Sequence, residues 1–529
     1  PQISVQPSDT AAAVGQAATF SVTAGATFTA AARGVPSPTW QWMVSTDGGA
    51  SFANIAGATA ASYTTPATST ADSGKRYRAV ATNSAGTAAT DAVTLTVNAP
   101  SAQWGTAVEL ASPAGWTVGY PRVAAADGRF IAAWLARDPV SGTVQARVSR
   151  HDGASGWSVP EVAASWTGPV NDYNRSLAVA MALDGTAVLT WLAPADGRAS
   201  VFASRQSLGG AWSSPNLLEA VDGGDARNPA VVVDGHGTAT VVWNQVHDAF
   251  FESTTTRLLA ARQPVSGIWE SPVDIDLPGA NGNSVDPFVA ANAGGDVVVA
   301  WTTSLPVGQF ATANVWRGSS LGWTGAVTLT EAVAGRNSVA EDAGINDAGL
   351  VAVAMNRVEG GVASVLVARH GAGVWSAAEE VDQTVDYSFK SSIAVAPDGS
   401  LHVAFRRDLF GGFNQEIWAT SRPVATGAWS TPVQIFGTPS GDARVRSDGS
   451  GNAMAIWTTY AGSAWVVRAA RRPAGGSWGA ATVIESQPSV NSTLNWYGLA
   501  VSPNGHAAAV WAEGVPGSSG AASWANVYR

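Results

Sequence analysis

The feature that most constrains the fold of this chain is a glycine that recurs eight times, each time six residues before a large apolar side chain. In several repeats the glycine follows Asp or Asn, which is typical of a tight turn because these residues tolerate positive φ. The apolar partners stand 50 to 58 residues apart, which indicates a repeat architecture. The glycines are Gly128, Gly185, Gly237, Gly295, Gly349, Gly399, Gly451 and Gly505, and their partners are Trp134, Trp191, Trp243, Trp301, Met355, Phe405, Trp457 and Trp511.

A second tryptophan series also has eight members: Trp104, Trp157, Trp212, Trp269, Trp323, Trp375, Trp429 and Trp478. Between each glycine and its partner the residues alternate in polarity, as in Arg129 to Trp134, which predicts a strand. One strand precedes each glycine and two more follow, so each repeat is expected to be a four-stranded antiparallel sheet. We expect both aromatic series to pack neighbouring sheets together rather than to bind a ligand.

The two ends of the repeat region complement each other. The segment from Trp104 to Leu110 matches a fourth strand, whereas the last repeat stops after its third strand, Ser523 to Tyr528. Pairing these strands in one sheet would close the repeats into a ring and remove two exposed sheet edges. The sequence therefore predicts an all-β chain in which residues 102–529 form an eight-bladed β-propeller, closed by N- and C-terminal strands in one blade.

The first hundred residues lack this repeat and alternate in polarity over four short segments: Thr19 to Thr23, Thr39 to Val44, Tyr77 to Thr82 and Ala92 to Val97. Period two predicts strands. Asp47, Gly48 and Gly49 predict a hairpin turn between Trp42 and Phe52, since adjacent glycines adopt positive φ at little cost. Ser45, Asp47, Gly49 and Phe52 also resemble a sialidase Asp-box, but the segment already fits a hairpin.

A family resemblance extends this interpretation. The residues that carry it are Asp72, Ser73, Gly74, Tyr77, Ala79, Ala81, Asn83 and Gly86. This run resembles the end of an immunoglobulin-like domain, in which Tyr77 matches the tyrosine corner and Trp42 the core tryptophan. Val22 and Ala79 stand where antibody domains have cysteines. The resemblance implies an immunoglobulin-like β-sandwich over residues 1–98 and a linker at 99–101.

The resemblance also implies a setting. Bacterial surface and secreted proteins use such domains as spacers or adhesive modules, so we expect a secreted or cell-surface location. The repeats themselves are distantly similar to the blades of sialidase-type and lectin propellers. Their spacing fits neither the WD40 nor the kelch pattern.

Composition excludes several classes of function. The chain has no cysteine, which excludes disulfides, thiolate zinc sites and thiol nucleophiles. The net charge of −10 opposes general attraction to nucleic acid, and no apolar run approaches the roughly 18 residues that span a bilayer. The six histidines are scattered, so no metal site is expected, and no cofactor motif is present.

The polar residues concentrate where loops lead into each first strand or out of each second strand, which places them around one mouth of the predicted ring. Arginine can hold a carboxylate through two parallel hydrogen bonds, and aromatic rings can stack on a sugar. The alternative is that these Arg and Asp side chains pair with one another. The candidate ligand-binding residues are Arg122, Arg137, Tyr173, Arg175, Arg227, Asp286, Asp342, Arg357, Tyr387, Lys390, Arg407, Asp442, Arg444, Trp496 and Tyr497.

Three functions stay open at this point. The leading hypothesis is a non-catalytic protein that binds a glycan, or another extracellular ligand such as a protein. The ligand would bind at the loop face, the side of the ring on which loops enter each first strand and leave each second strand. The second is a glycan-cleaving enzyme, a sialidase-like hydrolase or a polysaccharide lyase, with Tyr or Glu as the reactive group. Asp342 with Glu359, or Asp138 with Glu513, would then be possible acid and base pairs. The third is a structural subunit of an extracellular filament or matrix that self-associates through the immunoglobulin-like domain.

Overall fold

The chain divides into two compact units, Pro1–Gln103 and Trp104–Arg529. All the regular elements described are β-strands, which confirms the predicted all-β class. Within the described ranges no apolar helix reaches membrane-spanning length. The computed structural model describes residues 2–5, 10–13, 27–29, 31–33, 36–66, 72–98, 103–119, 121–153, 156–168, 176–219, 224–247, 255–265, 267–278, 282–318, 322–331, 333, 335–382, 387–408, 415–437, 440–462, 464–485, 494–514 and 521–529.

The N-terminal unit is built around a sheet whose central strands are Thr39–Ser45 and Arg76–Asn83. Val93–Asn98 pairs antiparallel with Arg76–Asn83 and parallel with Thr10–Ala13. Trp42 is fully buried, as expected of a core tryptophan. The remaining strands are Gln2–Val5, Thr27–Thr29, Ala31–Arg33, Ala53–Asn54, Ser62–Thr64 and Gly86–Ala89.

The predicted hairpin in this unit is confirmed, because Thr39–Ser45 pairs with Ala53–Asn54 across the turn. The Asp47 carboxylate accepts hydrogen bonds from the Ser45 hydroxyl at 2.7 Å and the Ser51 hydroxyl at 2.5 Å. These bonds hold the pKa of Asp47 well below its usual range. The predicted strand at 19–23, with Val22, lies outside the described residues. The immunoglobulin-like identity of the unit stays a prediction.

Among the described residues of the second unit, the strands fall into four-stranded antiparallel groups, called sheets 1 to 8 below. One parallel bridge joins sheets 3 and 4, and sheet 8 takes its fourth strand from the N-terminal end of the unit. They are sheet 1, Arg122–Ala126, Arg129–Arg137, Thr143–His151 and Glu161–Thr167; sheet 2, Leu177–Met181, Ala187–Ala195, Arg198–Gln206 and Asn216–Leu217; sheet 3, Ala226–Val233, Ala239–His247, Thr255–Gln263 and Val273–Asp274; sheet 4, Asn283–Ala291, Asp296–Leu305, Gly308–Arg317 and Val327–Thr328; sheet 5, Arg336–Ile345, Val351–Glu359, Val362–Gly371 and Glu379–Glu380; sheet 6, Tyr387–Val395, Leu401–Asp408, Gln415–Arg422 and Val433–Phe436; sheet 7, Ser440–Ser447, Ala453–Ala461, Ala464–Arg472 and Thr482–Val483; and sheet 8, Leu494–Val501, Ala507–Gly514, Ala521–Tyr528 and Val108–Leu110. Two short strands extend them, Thr117–Val118 in sheet 1 and Val374–Trp375 in sheet 5.

The sheets close into a ring. The first strands of consecutive sheets lie against one another, and the first strand of sheet 8 lies against that of sheet 1. Sheet 8 contains the predicted closure, since Val108–Leu110 pairs antiparallel with Ala521–Tyr528, and Trp104 forms a bridge with Tyr528. The second unit is therefore a β-propeller whose first strands surround a common axis.

The hydrophobic core lies between neighbouring sheets. All eight apolar partners of the repeated glycines are at most 2% exposed, which confirms that this series packs sheet against sheet. Trp134 of sheet 1, for example, packs with Val510 and Ala525 of sheet 8. Burial of such large side chains supplies much of the stability of each contact.

The eight repeated glycines all have φ between 74° and 90°, which explains why glycine recurs there. Hydrogen bonds link these turns from sheet to sheet. Asn292 donates to the carbonyl of Asn346, and Asn346 donates to that of Ala396, both at 3.0 Å. Arginines that end third strands donate to the carbonyl of the glycine in the next sheet, from Arg150 to Gly185, Arg205 to Gly237 and Arg317 to Gly349, at 2.9, 2.7 and 3.0 Å. These hydrogen bonds thus connect neighbouring sheets on the face of the ring that carries the glycine turns. The functional candidates lie on the opposite face.

Candidate functional site

Three first strands carry a non-glycine residue with left-handed backbone at the same position, nine residues before the repeated glycine. These residues are Asn228, Asp286 and Lys390, with φ of 49°, 52° and 54°. Each sits in a bulge where the register of the first strand shifts against the second. Such a conformation costs roughly 1 kcal/mol or more, and bulges of this kind re-aim side chains next to functional sites.

The bulge of sheet 6 belongs to a set of polar residues, five of them ionisable acids or bases and one a tyrosine, that we call the Glu341 cluster: Glu341, Lys390, Arg406, Asp442, Arg444 and Tyr497. It is assembled from the first strands of sheets 5, 6, 7 and 8 and the second strand of sheet 6. The Lys390 ammonium lies 3.5 Å from Oε1 of Glu341. Asn356 donates to the same carboxylate oxygen at 3.3 Å. Residues from four sheets therefore meet at one place on the loop face.

A second ion pair borders Glu341. Arg406 donates from Nη1 to Asp442 at 2.9 Å and from Nε to Asp408 at 3.1 Å. Its guanidinium also lies 4.3 Å from the centre of the Phe389 ring, a cation–π contact. Asp442 is therefore ion-paired with Arg406, and Glu341 faces Lys390 together with the charges of Arg444 and Asp442.

The electrostatics of Glu341 favour its neutral form more than those of an ordinary glutamate. Glu341 is 7% exposed, and this burial raises its pKa. Lys390 and Arg444 oppose the rise and Asp442 adds to it, and the pKa stays above its usual range. Burial likewise raises the pKa of Tyr497. Glu341 can therefore exchange a proton closer to neutral pH than a solvent-exposed carboxyl does.

A buried hydrogen-bond network ties the same sheets together. Asp342 is 4% exposed and accepts from the Ser392 hydroxyl at 2.6 Å and from Arg446 at 2.8 Å. Ser392 in turn accepts from the backbone N–H of Val445 at 3.1 Å. Since Asp342 follows Glu341 directly, the network fixes the strand that presents Glu341.

Four of the predicted residues lie together in the Glu341 cluster, namely Lys390, Asp442, Arg444 and Tyr497. Asp342 lies in the adjoining network rather than among them. Asp286 lies apart, in sheet 4, where it accepts a hydrogen bond from Asn228 at 3.4 Å.

Other predicted residues are engaged elsewhere. Arg357 donates to Glu380 at 2.6 Å. Arg407 is only 5% exposed, stacks 3.9 Å above the Trp418 ring and donates to the carbonyl of Asp382 at 3.2 Å. Both arginines therefore have partners within the chain.

Arg122 lies on the first strand of sheet 1, and Arg137 is exposed at the end of its second strand. Tyr173 and Arg175 lie outside the described residues. Tyr387 and Trp496 belong to described strands, but their side chains lie outside the description.

The proposed carboxylate pairs also have separate partners. Asp342 belongs to the buried network, whereas Glu359 pairs with Arg336 at 2.8 Å. Asp138 accepts from Ser141 at 2.6 Å. Glu513 interacts with Glu485, a buried residue that sequence reasoning did not single out.

Sequence reasoning gave no role to Ser392 or Arg446 either. The alternation of Asp442, Arg444 and Arg446 along one strand was the available signal for Arg446.

A separate cleft of about 540 Å³ lies on the loop face at sheets 2 to 4. It is lined by Arg198, Asp225, Arg227, Val246, Thr256, Asn283 and Val285. In the described part of the chain, no three His, Asp or Glu side chains converge in a way that could hold a metal ion.

Comparison with known proteins adds local and fold-level likenesses. Residues 9–99 match a family described as a domain of unknown function, DUF8696. Over 97 residues the chain is 46% identical to Endoglucanase C of Cellulomonas fimi, a stretch that spans 18% of this chain and 8% of that protein.

Among solved structures, an ulvan lyase of polysaccharide lyase family PL25 has 8% identity and a TM-score of 0.46, covering 67% of this chain and 93% of its own. A protein of unknown function from Dyadobacter fermentans has 11% identity and a TM-score of 0.41, covering 81% and 100%. The NanB sialidase of Streptococcus pneumoniae has 9% identity and a TM-score of 0.36, covering 93% and 92%.

Proposed function

We propose that this protein binds a glycan bearing carboxylate or sulfate groups at the Glu341 cluster and cleaves it there. The observation that carries the proposal is a buried carboxyl with a raised pKa beside two cationic side chains, in a cluster that four sheets of the ring build together. Groups with opposed charges and perturbed pKa values are frequent at catalytic sites.

Each residue of the cluster has a role in this proposal. The Lys390 side chain is 49% exposed, so its ammonium can meet an anionic group of the sugar while Arg444 supports the same charge. Protonated Glu341 donates its proton to the oxygen that leaves when the glycosidic bond breaks. Water supplies the hydroxyl that replaces it and releases its other proton to the solvent, from which Glu341 is protonated again. Tyr497, whose pKa is raised further above neutral pH by burial, contributes an aromatic wall and a hydroxyl.

The rest of the chain fits an extracellular role. We propose an immunoglobulin-like spacer at residues 1–98, a linker at 99–101 and an eight-bladed propeller at 102–529, secreted or at the cell surface. The likeness of one segment to part of a protein named an endoglucanase supports a setting in which glycans are the ligands.

A non-catalytic glycan-binding protein is the second candidate, and one observation favours it. Glycosidases typically use two carboxyl groups, but Asp442 is held by Arg406 at 2.9 Å. Because Asp442 is engaged by Arg406, Glu341 is the carboxyl of the cluster to which we assign proton transfer.

The test uses the full chain with polygalacturonate, chondroitin sulfate and, as an uncharged control, cello-oligosaccharides. Binding is measured by calorimetry, and cleavage by the release of reducing ends. We expect the protein to bind the two charged polymers and not the uncharged control. In Glu341→Gln the turnover rate should fall about 100-fold or more, while binding is retained. Lys390→Gln should weaken binding. Unsaturated products would indicate elimination instead of hydrolysis.

Glu485→Gln is the matched control, because Glu485 is a buried glutamate with a raised pKa outside the cluster. It should leave binding and turnover unchanged. Binding without any product would support the second candidate. If Lys390→Gln and Arg444→Gln bind the charged polymers as wild type does, the Glu341 cluster is not the binding site.

A further inference from the structure

We propose that the cleft around Arg227 is a second anion-binding subsite, which holds another charged unit of the same polymer that binds at the Glu341 cluster. The inference rests on the proposed function and specifies its substrate class: a chain of several acidic sugars rather than a short end group. The cleft lies at sheets 2 to 4, whereas the Glu341 cluster is built by sheets 5 to 8. A bound polymer would therefore cross the mouth of the ring.

Arg227 is suited to bind an external anion. Its side chain is exposed and lines the cleft, and among the described residues no ion pair to its guanidinium is found. The nearby Asp225 carboxylate already accepts from the backbone N–H of Ala199 at 3.0 Å. Arg227 also directly precedes the left-handed Asn228, whose bulge turns the chain at this point. A planar guanidinium in this position can hold a carboxylate or sulfate through paired hydrogen bonds.

The walls of the cleft are held before any ligand binds. The backbone N–H of Val246 donates to the backbone carbonyl of Asp225 at 3.0 Å. Fully buried Gln245 donates to the carbonyl of Gly224 at 3.0 Å and accepts from the Trp243 indole at 2.9 Å. The segment that leads to Arg227 is therefore anchored to the second strand of its own sheet.

The opposite wall is fixed as well. The backbone N–H of Thr256 donates to the Asn283 side chain at 3.0 Å, and these two residues form a parallel bridge that joins sheets 3 and 4. A cleft with fixed walls loses little conformational entropy when a ligand binds, which favours affinity.

Two anion subsites on one face make affinity depend on ligand length. A chain that reaches both subsites binds the second one intramolecularly, whereas a short oligomer occupies one subsite at a time. Arg227 should therefore matter for long oligomers and not for dimers. Lys390, at the first subsite, should matter for both.

The test measures dissociation constants of the full chain for oligogalacturonates and chondroitin sulfate oligosaccharides of two to twelve sugars, at constant salt. We expect Arg227→Gln to weaken binding of the longest oligomers about tenfold and to leave dimers unchanged. Arg129→Gln is the matched control, because Arg129 lies beside the glycine turn of sheet 1 in a solvent-exposed pair with Asp127 at 3.8 Å. Melting temperatures of both variants confirm that they are folded.

The outcomes separate this inference from the proposed function. If wild type binds long oligomers and Arg227→Gln binds them as well as Arg129→Gln does, the second subsite is rejected and the Glu341 cluster stands. If Arg227→Gln weakens dimers and long oligomers equally, Arg227 belongs to a single site and the inference is again wrong. If wild type binds neither the oligogalacturonates nor the chondroitin sulfate oligosaccharides at any length, the proposed function fails together with the inference.

Discussion

His402 makes the stability of the propeller depend on pH, and replacing it tests how the sheets exclude charge. It lies on the second strand of sheet 6 and is 2% exposed. Nδ1 shares a hydrogen bond of 2.9 Å with the Ser421 hydroxyl, whereas the buried Nε2 has no hydrogen-bond partner among the described residues. Burial, with a contribution from the positive charge of Arg472, lowers the pKa of His402 from 6.5 to about 4.

The direction of the pH effect follows from proton uptake. As the pH falls, the imidazole of the unfolded chain binds a proton near pH 6.5, and that of the folded chain only near pH 4. Between these values the unfolded state binds more protons, so acidification favours unfolding. The stability associated with neutral His402 is complete above pH 6.5 and is lost as the pH falls through about 4.

The magnitude can be worked from the same values. One pKa unit corresponds to about 1.4 kcal/mol, so the difference between the two states is worth about 3 kcal/mol. For a unit of this size, an unfolding entropy of about 2.1 cal/mol/K per residue makes 1 °C equivalent to about 0.9 kcal/mol. His402→Gln keeps a partner for Ser421 but takes up no proton. Between pH 7.5 and pH 4 its Tm should therefore fall by about 3 to 4 °C less than the Tm of wild type.

The assay is thermal unfolding followed by tryptophan fluorescence at both pH values. The matched control is His236→Gln, because His236 occupies the glycine turn of sheet 3 and already faces solvent. The Tm of His236→Gln should fall on acidification by as much as the Tm of wild type does. Equal losses of Tm in wild type and His402→Gln would refute the claim that burial keeps this imidazole neutral.

Three further predictions concern other parts of the ring. Burial and the negative charge of Glu513 raise the pKa of Glu485, so the ionised form of Glu485, which dominates at high pH, destabilises the fold. Calorimetry should therefore show that Glu485→Gln raises Tm at pH 9 and changes it little at pH 5. Gly224→Ala would drive its Cβ into the backbone carbonyl of Val246. We therefore expect the free energy of unfolding in urea to fall by about 2 kcal/mol or more, together with weaker binding of long acidic oligomers. Leu110→Asp puts a charge at a position of the closing strand that is 2% exposed. It should lower the free energy of unfolding by about 3 kcal/mol and cause aggregation, which light scattering detects. Glu109→Gln, at the exposed neighbouring residue, should do neither.

The architecture of the propeller could be predicted because its signals are local and repeated. A glycine with positive φ and an alternating strand after it need only nearby residues, and the same pattern recurs in each sheet. The closing pair of Val108–Leu110 and Ala521–Tyr528 could also be predicted, because each chain end contains the strand that the other end lacks.

The candidate site could be predicted only in part. Sequence reasoning placed Lys390, Asp442, Arg444 and Tyr497 around one mouth, but it could not separate them from Arg407, which is buried between sheets. Alternate residues of a strand point to opposite faces, and a bulge such as the register shift between Phe389 and Ser392 reverses that alternation. Polar residues of the same type on the same loops therefore end up exposed or buried according to where the bulge falls.

The sequence by itself determined the all-β class, the repeated sheets and the strands that close the ring, because these depend on periodicity within each repeat. Only the tertiary structure decided which side chains meet, since Glu341, Lys390, Asp442 and Tyr497 come from four different sheets. Their contacts, and the burial that raises the pKa of Glu341, exist only once the ring has closed and brought the first strands together around one axis.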